Sequence, residues 1–178
     1  MRIFVAVPLD EETRHRLAHL LRRQIPVMPG SVVAPDNWHL TLRFLGEADE
    51  VTVDRLRRAL DEAELGGAFP MAWGGLGAFP RASRASVVWI GVVAGEERLA
   101  ALAVATDDAL ESAGFPAEDR PFRPHLTISR IRPPEDVRSV IRGDPLEAVP
   151  MHLDRITIYQ SRLARGGASY AVVDEFEL

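Results

Sequence analysis

Apolar residues recur along this chain with two periods, one of two residues and one of three to four. Short runs rich in β-branched and aromatic residues are typical of strands. Longer segments with leucine or valine at every third or fourth position are typical of amphipathic helices. The predicted strands span residues 2–7, 38–45, 69–73, 86–93, 125–131, 151–160 and 169–178. The predicted helices span residues 10–24, 51–64, 96–113 and 135–141.

Capping and turn-forming residues predict how these elements are connected. Asp10 is a suitable N-cap for the first helix. Residues 26–36 predict a turn-rich connection, and the glycines within residues 66–77 are expected to break up that region. A last turn is predicted around Gly166 and Gly167, between the two final strands.

The order strand, helix, turn, strand occurs twice along the chain. Val5 precedes His39, and Trp89 precedes His125, by nearly the same number of residues. This repeat predicts one α+β domain over residues 1–178, with a bilobal duplicated fold and pseudo-twofold symmetry. We expect two antiparallel sheets that face a central cleft, with the helices outside. A dinucleotide-binding fold is disfavoured, because no glycine-rich loop follows the first strand.

The same four-residue pattern, His-x-Thr-x with x apolar, ends both copies of the repeat. It reads His-Leu-Thr-Leu from His39 and His-Leu-Thr-Ile from His125. Residues two apart on a strand share a face, so each histidine is expected beside its threonine, Thr41 or Thr127. Imidazole has an ordinary pKa of about 6.5, so two converging rings can supply a general acid and a general base. The two hydroxyls could hold the non-bridging oxygens of a phosphoryl group between the rings.

Strand parity makes a prediction for the side chains that follow each motif. Arg43 shares the parity of the first histidine and is expected in the cleft as a candidate substrate contact. Arg130 has the opposite parity to the second histidine and would need a bend or bulge to reach it. Trp38 and Phe44 are expected to pack in the core, although either could stack a base at the rim of the cleft.

The composition of the chain excludes several catalytic mechanisms that need Cys or Lys. The chain has no Cys, and all of its 21 basic residues are Arg. Without Lys there can be no lysyl-adenylate intermediate and no Walker A lysine. The net charge of −5 disfavours an extended basic surface for duplex nucleic acid. A local cluster of arginines around the second motif could still contact phosphate: Arg120, Arg123, Arg130 and Arg132.

Metal ligation is less consistent with the sequence than acid–base chemistry. No Asp or Glu shares a motif strand face with either motif histidine, so a third zinc ligand is missing there. His15 and His19 have chelating i, i+4 spacing, but they lie opposite the apolar stripe of the first helix and are expected in solvent. His152 is expected to be structural or exposed. The prediction is therefore a site without a metal or cofactor.

The two motif segments resemble a known family. WHLTLRFLGE at residues 38–47 and FRPHLTISR at residues 122–130 closely resemble the signatures of the two-histidine phosphoesterase superfamily. The closest likeness is to its RNA 2′,3′-cyclic phosphodiesterase branch, historically named 2′-5′ RNA ligase or LigT-like. The N-terminal RIFVAVPLD and the tail from residue 156 resemble the same branch, so the likeness spans the whole chain.

The resemblance implies metal-independent hydrolysis of RNA 2′,3′-cyclic phosphate ends to 2′-phosphomonoesters. It implies that His39 donates a proton to the leaving oxygen and that His125 accepts a proton from water. Thr41 and Thr127 correspond to the residues that hold the phosphate, and Arg130 is a candidate substrate contact. The reverse reaction would join RNA ends through a 2′-5′ linkage without ATP.

Two alternatives stay open at the level of sequence. The same chemistry could act on a cyclic phosphate of a small nucleotide or of an ADP-ribose derivative. The chain could also be a non-catalytic module that binds RNA ends. In either case we expect a cytoplasmic protein, because no apolar run is long enough for a membrane span or a signal peptide. We also expect a monomer with no obligatory protein partner.

Overall fold

Sheets dominate the structure, a computed structural model that describes residues 1–143, 145–164 and 167–178. Within these ranges the chain forms nine strands and four α-helices. In chain order they are β1 (Arg2–Pro8), α1 (Glu11–Gln24), β2 (Ser31–Val32), β3 (His39–Glu47), α2 (Glu50–Asp61), β4 (Phe69–Arg81), β5 (Arg84–Ala94), α3 (Glu96–Ser112), β6 (Leu126–Glu135), α4 (Arg138–Ile141), β7 (Val149–Leu153), β8 (Arg155–Ala164) and β9 (Gly167–Glu177).

The strands form two antiparallel sheets with equivalent layouts. The first sheet has the order β3-β1-β8-β9, and the second has the order β2-β6-β5-β4-β7. Strands β1 and β3 enclose α1 in sequence, as β5 and β6 enclose α3. Apart from the short edge strand β2, the two orders match position by position. The predicted α+β duplicated fold with two antiparallel sheets is confirmed.

The predicted periodicity accounts for the local structure of the first half. Asp10 caps α1, since its carboxylate accepts a hydrogen bond of 2.7 Å from the backbone N–H of Thr13. Leu17 and Leu21 of this helix are buried. The alternate residues of β1, such as Ile3 and Val5, are buried in the same core. Burial of these apolar faces therefore stabilises β1 and α1 where the sequence predicts them.

Three predicted boundaries differ from the structure. The predicted strand 151–160 is two strands, because the chain leaves one sheet and enters the other at Asp154. The predicted helix 135–141 is shortened to α4, since β6 runs on to Glu135. The glycines of residues 74–77 do not interrupt the chain but lie inside β4. The turn predicted around Gly166 and Gly167 falls on residues 165–166, which lie outside the described residues.

Gly77 has a packing role within β4. The indole ring of Trp89 lies where a Cβ atom at this position would project, so only glycine leaves room for it. Phe79 then contacts the same indole, with ring centroids 5.2 Å apart. The glycine thus fixes the aromatic surface on which the second motif rests. No helix in the described ranges is both long and apolar enough to cross a membrane.

Candidate active site

The first motif strand contains a β-bulge just after its threonine. Val5 and Ala6 of β1 are consecutive, yet their partners on β3 are Arg43 and Thr41, so Leu42 is skipped in the register. Beyond this point the side chains of β3 exchange faces. The strand parity that the sequence suggests therefore holds for Thr41 and fails two residues later.

The second motif strand contains the same irregularity at the same motif position. Val88 and Trp89 of β5 are consecutive, but they pair with Ser129 and Thr127, so Ile128 is skipped. In both copies the skipped residue is the last of the four in His-x-Thr-x. The two motifs therefore share a bulge as well as a sequence pattern.

Arg43 is turned away from the cleft by the first bulge. Its side chain is buried, at 4% exposure, and its Nη1 lies 2.6 Å from Oδ1 of Asp107 on α3. Its Nη2 donates to the main-chain carbonyl of Pro116. The prediction that Arg43 lies in the cleft as a substrate contact is wrong, because the parity count assumed a regular strand.

The residue after Arg43 takes its place at the cleft. Phe44 is 44% exposed, and its ring stacks 6.1 Å from that of Phe4 on the first sheet. The prediction that Phe44 packs in the core is wrong for the same reason as for Arg43. Trp38 precedes the bulge and is buried as predicted, with its indole N–H donating to the carbonyl of Val33.

Arg130 reaches the cleft through the second bulge. It follows His125 by five residues, as Phe44 follows His39, and it is exposed. The expectation that a bulge would be needed to bring it round is confirmed by the register. Ser129 takes the buried position instead, where its hydroxyl donates to the carbonyl of Pro29.

One small cavity joins both motifs. It has a volume of about 160 Å³. The histidine and threonine of each motif line it, together with Arg130. Four more residues complete its walls: Val33, Asn37, Val87 and Tyr170. The structure thus brings five of the six predicted site residues to one cavity, and Arg43 is the exception.

The two imidazoles are held in the same way. Nδ1 of His39 lies 2.9 Å from the carbonyl oxygen of Asn37, and Nδ1 of His125 lies 2.6 Å from that of Arg123. A carbonyl can only accept, so Nδ1 carries the proton in each neutral ring. Nε2 of each ring is left as the nitrogen that exchanges protons. This arrangement suits one ring to give a proton while the other takes one.

Aromatic rings fix the orientation of both histidines. His39 contacts Phe4 and Tyr170, with ring centroids 4.7 and 4.8 Å apart. His125 meets the edge of Phe79 at 5.0 Å. Sequence reasoning missed these aromatic residues and Asn37. The aromatic residues lie on strands that long-range pairing brings to the motifs, and Asn37 lies in the short 3-10 helix before the first motif, so no local pattern indicates their role.

A larger groove adjoins the cavity. It has a volume of about 600 Å³, and Thr41 and His125 line both spaces. The remaining walls of the groove come from β3, from the end of β4, from α3 and from the loop before the second motif: Leu42, Phe44, Phe79, Asp107, Glu118, Arg120, Pro121, Phe122 and Arg123.

Comparison with known families identifies the duplicated fold. The sequence profile of the family described as LigT like Phosphoesterase matches residues 7–89 and again residues 90–170. The chain belongs to this family. Each matched range contains one His-x-Thr-x motif, so both halves of the repeat are recognised.

Individual LigT-like proteins agree over nearly the whole chain. The Archaeoglobus fulgidus protein named RNA 2′,3′-cyclic phosphodiesterase is 34% identical, over 99% of this chain and 100% of its own length. The crystal structure of TT0787 of Thermus thermophilus gives a TM-score of 0.83 at 30% identity, covering 100% of this chain and 98% of that one. Escherichia coli LigT complexed with 3′-AMP gives 0.78 at 28% identity, covering 99% and 97%.

The electrostatics of this LigT-like site disfavour positive charge on its histidines. Burial lowers the pKa of His39 to about 4, and the charges of Arg130 and His125 act in the same direction. The hydrogen bond to Asn37 opposes this shift. Burial, and then Arg130, also lowers the pKa of His125. These shifts favour the neutral form of both rings near pH 7.

The remaining histidines lie apart from the LigT-like site. His15, His19 and His152 are exposed, as expected for the helix pair and for the lone strand residue. In the described part of the chain, no group of three or more His, Asp or Glu side chains is arranged to hold a metal ion.

Proposed function

We propose that this protein hydrolyses the 2′,3′-cyclic phosphate at RNA ends to a 2′-phosphomonoester. The observation that carries the proposal is the shared cavity, in which two imidazoles with engaged Nδ1 atoms meet two threonines and one arginine. The names of the relatives supply the substrate class, since the Archaeoglobus fulgidus protein is an RNA 2′,3′-cyclic phosphodiesterase.

The reaction needs one proton to be removed and another to be supplied. His125 takes a proton from water through Nε2 as the water oxygen attacks phosphorus. The bond from phosphorus to the 3′ oxygen breaks, and His39 gives its proton to that leaving oxygen. The order of these two roles follows the resemblance to the family.

The other cavity residues stabilise the transferring group. Thr41 and Thr127 donate hydrogen bonds to the non-bridging oxygens, where charge accumulates in the transition state. Arg130 contributes a positive charge on the same phosphoryl group. Burial is the main cause of the lowered histidine pKa values, and the charge of Arg130 adds to it. The anion offsets that charge, so binding of the substrate favours the protonated form of His39.

No step in this scheme uses a metal ion, a cofactor or a nucleotide triphosphate. With an RNA 5′-hydroxyl in place of the attacking water, the same site would break the same bond from phosphorus to the 3′ oxygen and join two RNA ends through a 2′-5′ linkage. We further expect the protein to act as a monomer without a protein partner, because both motifs belong to one chain.

The proposal is tested on a short RNA with a 2′,3′-cyclic end. Wild-type protein should release the 2′-phosphomonoester at the same rate with and without EDTA. His39→Ala and His125→Ala should each lose on the order of 10²- to 10⁴-fold in rate, the usual contribution of a positioned acid or base. His152→Ala is the matched control and should keep full activity. Full activity of either motif variant would contradict the two-imidazole mechanism.

A further inference from the structure

The hairpin between β4 and β5 carries two arginines at its tip. Its turn consists of Ala82 and Ser83, and Arg81 and Arg84 are the last residues that pair across it. Both arginines are exposed. Like charges directly opposite each other on neighbouring strands destabilise the pairing. The arginine pair therefore does not help to hold the hairpin together, but it has the chemistry of a site for an anion.

A bulge decides which face of the hairpin each residue occupies. Phe79 of β4 pairs with Val87 of β5, and these two side chains line the groove and the small cavity respectively. The next pair is Pro80 with Ala85, so Ser86 is skipped. Successive pairs of an antiparallel ladder alternate between faces. The pair of Pro80 and Ala85 therefore belongs to the face away from the cleft, where Ala85 is fully buried.

The arginine pair comes one step further and so returns to the cleft face. Arg81 lies two residues beyond Phe79, which is about 7 Å along the strand. A third cation lies beside the same ring, since the guanidinium carbon of Arg123 is 6.0 Å from the centroid of Phe79. We call Arg81, Arg84 and Arg123 the basic rim. It extends the cleft from the second motif toward the tip of the hairpin.

The charges of the basic rim are not neutralised by the protein. Within residues 1–143, 145–164 and 167–178, none of the three forms an ion pair, whereas the exposed Arg138 pairs with Asp136 at 2.6 Å. The rim is therefore a local positive surface on a chain whose net charge is −5.

The acidic residues of the neighbouring walls are engaged or lie on another face. Asp107 in the groove forms an ion pair with the buried Arg43, and Glu118 forms one with Arg120. Glu135 of β6 pairs with the buried residue of the hairpin and so belongs to the face away from the cleft. An anion that leaves the small cavity along the second sheet would therefore meet only the positive charge of the rim.

A row of cations beyond the catalytic cavity fits a ligand with more than one phosphate. Guanidinium groups bind phosphate oxygens strongly, and single-stranded RNA presents one phosphate for each nucleotide. The cyclic phosphate of a single nucleotide is used up in the cavity with Arg130. Only a longer strand brings further phosphates that could reach the tip of the hairpin.

We propose that the basic rim binds the backbone phosphates of the RNA on the 5′ side of the cyclic end, with Arg81 and Arg84 as the outermost contacts. The rim then makes the enzyme select RNA ends over single cyclic nucleotides through affinity, without taking part in the chemical step. This assignment rests on the proposed function for the reaction that it serves.

Kinetics on two substrates with the same reacting nucleotide test the assignment. One is adenosine 2′,3′-cyclic phosphate, and the other is a short RNA that ends in the same cyclic nucleotide. Wild-type protein should have the lower KM for the RNA. The double variant Arg81→Gln, Arg84→Gln should raise that KM roughly 10- to 30-fold at about 0.1 M salt, the effect of two lost phosphate contacts. Its KM for the mononucleotide and both kcat values should not change.

The matched control carries the same change of charge on another face. Arg22 and Arg23 are exposed in the last turn of α1, so Arg22→Gln, Arg23→Gln should leave both KM values as in the wild type. The salt dependence of RNA binding, measured by fluorescence anisotropy, should weaken only in the hairpin variant, by about 0.7 in the logarithmic slope for each contact. Urea unfolding should show no loss of stability in that variant, because two like charges are removed.

Three results would overturn the assignment: equal KM values of wild-type protein for the two substrates, an equal rise of both in the hairpin variant, or the same rise for RNA in the α1 control. A failure of the proposed function looks different. In that case neither substrate is hydrolysed, while the RNA still binds with a salt dependence that the hairpin variant reduces.

Discussion

At the scale of single residues, His39 shows how its surroundings set the chemistry of the site. Its ring is partly covered by Phe4 and Tyr170 and lies near the charge of Arg130. Burial lowers the pKa of His39 to about 4, so the free protein holds a neutral ring at the ordinary pH of the cell. A proton donor in this position must be charged by the arrival of the anionic substrate.

This electrostatic balance predicts the pH dependence of kcat/KM. One of the two imidazoles must be protonated, and the lowered pKa values of His39 and His125 place that protonation below the usual 6.5. The value of kcat/KM should therefore fall as the pH rises above about 6. Arg130→Gln removes a charge that lowers both pKa values, so its alkaline limb should move to higher pH.

The measurement is a profile of kcat/KM on an RNA with a cyclic end, from about pH 4 to about pH 9. Arg132→Gln serves as the control, since Arg132 is exposed on the same strand and should leave the limb in place. An alkaline limb above about pH 7 in the wild type would contradict the lowered pKa values of the pair. An unmoved limb in Arg130→Gln would show that the charge of Arg130 does not contribute to them.

At the scale of elements, the two bulges decide what the motif strands present. They bring Phe44 and Arg130 to the cleft and move Arg43 and Ser129 to buried positions. In the first strand this links β3 to α3, because Arg43 forms an ion pair with Asp107 and donates a hydrogen bond to the carbonyl of Pro116. The loop that begins there leads to Arg123, whose carbonyl holds His125.

Removal of the contacts that Arg43 makes with Asp107 and Pro116 should lower the stability of the fold. We expect Arg43→Met to lower the free energy of unfolding by about 2 kcal/mol, since it removes a charged hydrogen bond to Asp107 and leaves the Pro116 carbonyl without its donor. Arg132→Met, at an exposed arginine, should change it by less than about 0.5 kcal/mol. Urea unfolding of both variants checks this, and equal stability of the two would contradict the structural role of Arg43.

The bulges also mark where sequence reasoning stops. Most of the strands, the first three helices and the His-x-Thr-x faces follow from local periodicity, and so do buried residues such as Leu17. That Phe44 and not Arg43 faces the cleft does not follow from periodicity, because the skipped residue depends on pairing with β1, far away in the sequence. The break at Asp154 was missed for a related reason. A single polar residue between two apolar runs gives no indication that the runs join different sheets.

At the scale of the whole molecule, the sequence repeat and the two sheets do not coincide. Strands β8 and β9 follow the second motif in the chain but complete the first sheet beside β1. Strand β4 follows the first motif but belongs to the second sheet. Each sheet therefore depends on strands that lie outside its own half of the repeat. This exchange supports the prediction of one domain over residues 1–178.

A chain folded in this way should unfold in a single cooperative transition. In Trp38→Phe the fluorescence comes from Trp73 and Trp89, which both lie in the second sheet. Far-UV circular dichroism reports both sheets, so the two signals should give the same midpoint in urea. Two separate midpoints would indicate that the lobes are independent units.

The shared bulge has a consequence for the history of the molecule. A half-length ancestor with this motif would have formed a similar cleft only by pairing with a second copy of itself. Such a dimer would have presented two identical imidazoles and two identical side chains at the fifth position, and a substrate could have bound in either direction. With both copies in one chain, that position is phenylalanine in one half and arginine in the other, so the two rings have unlike neighbours.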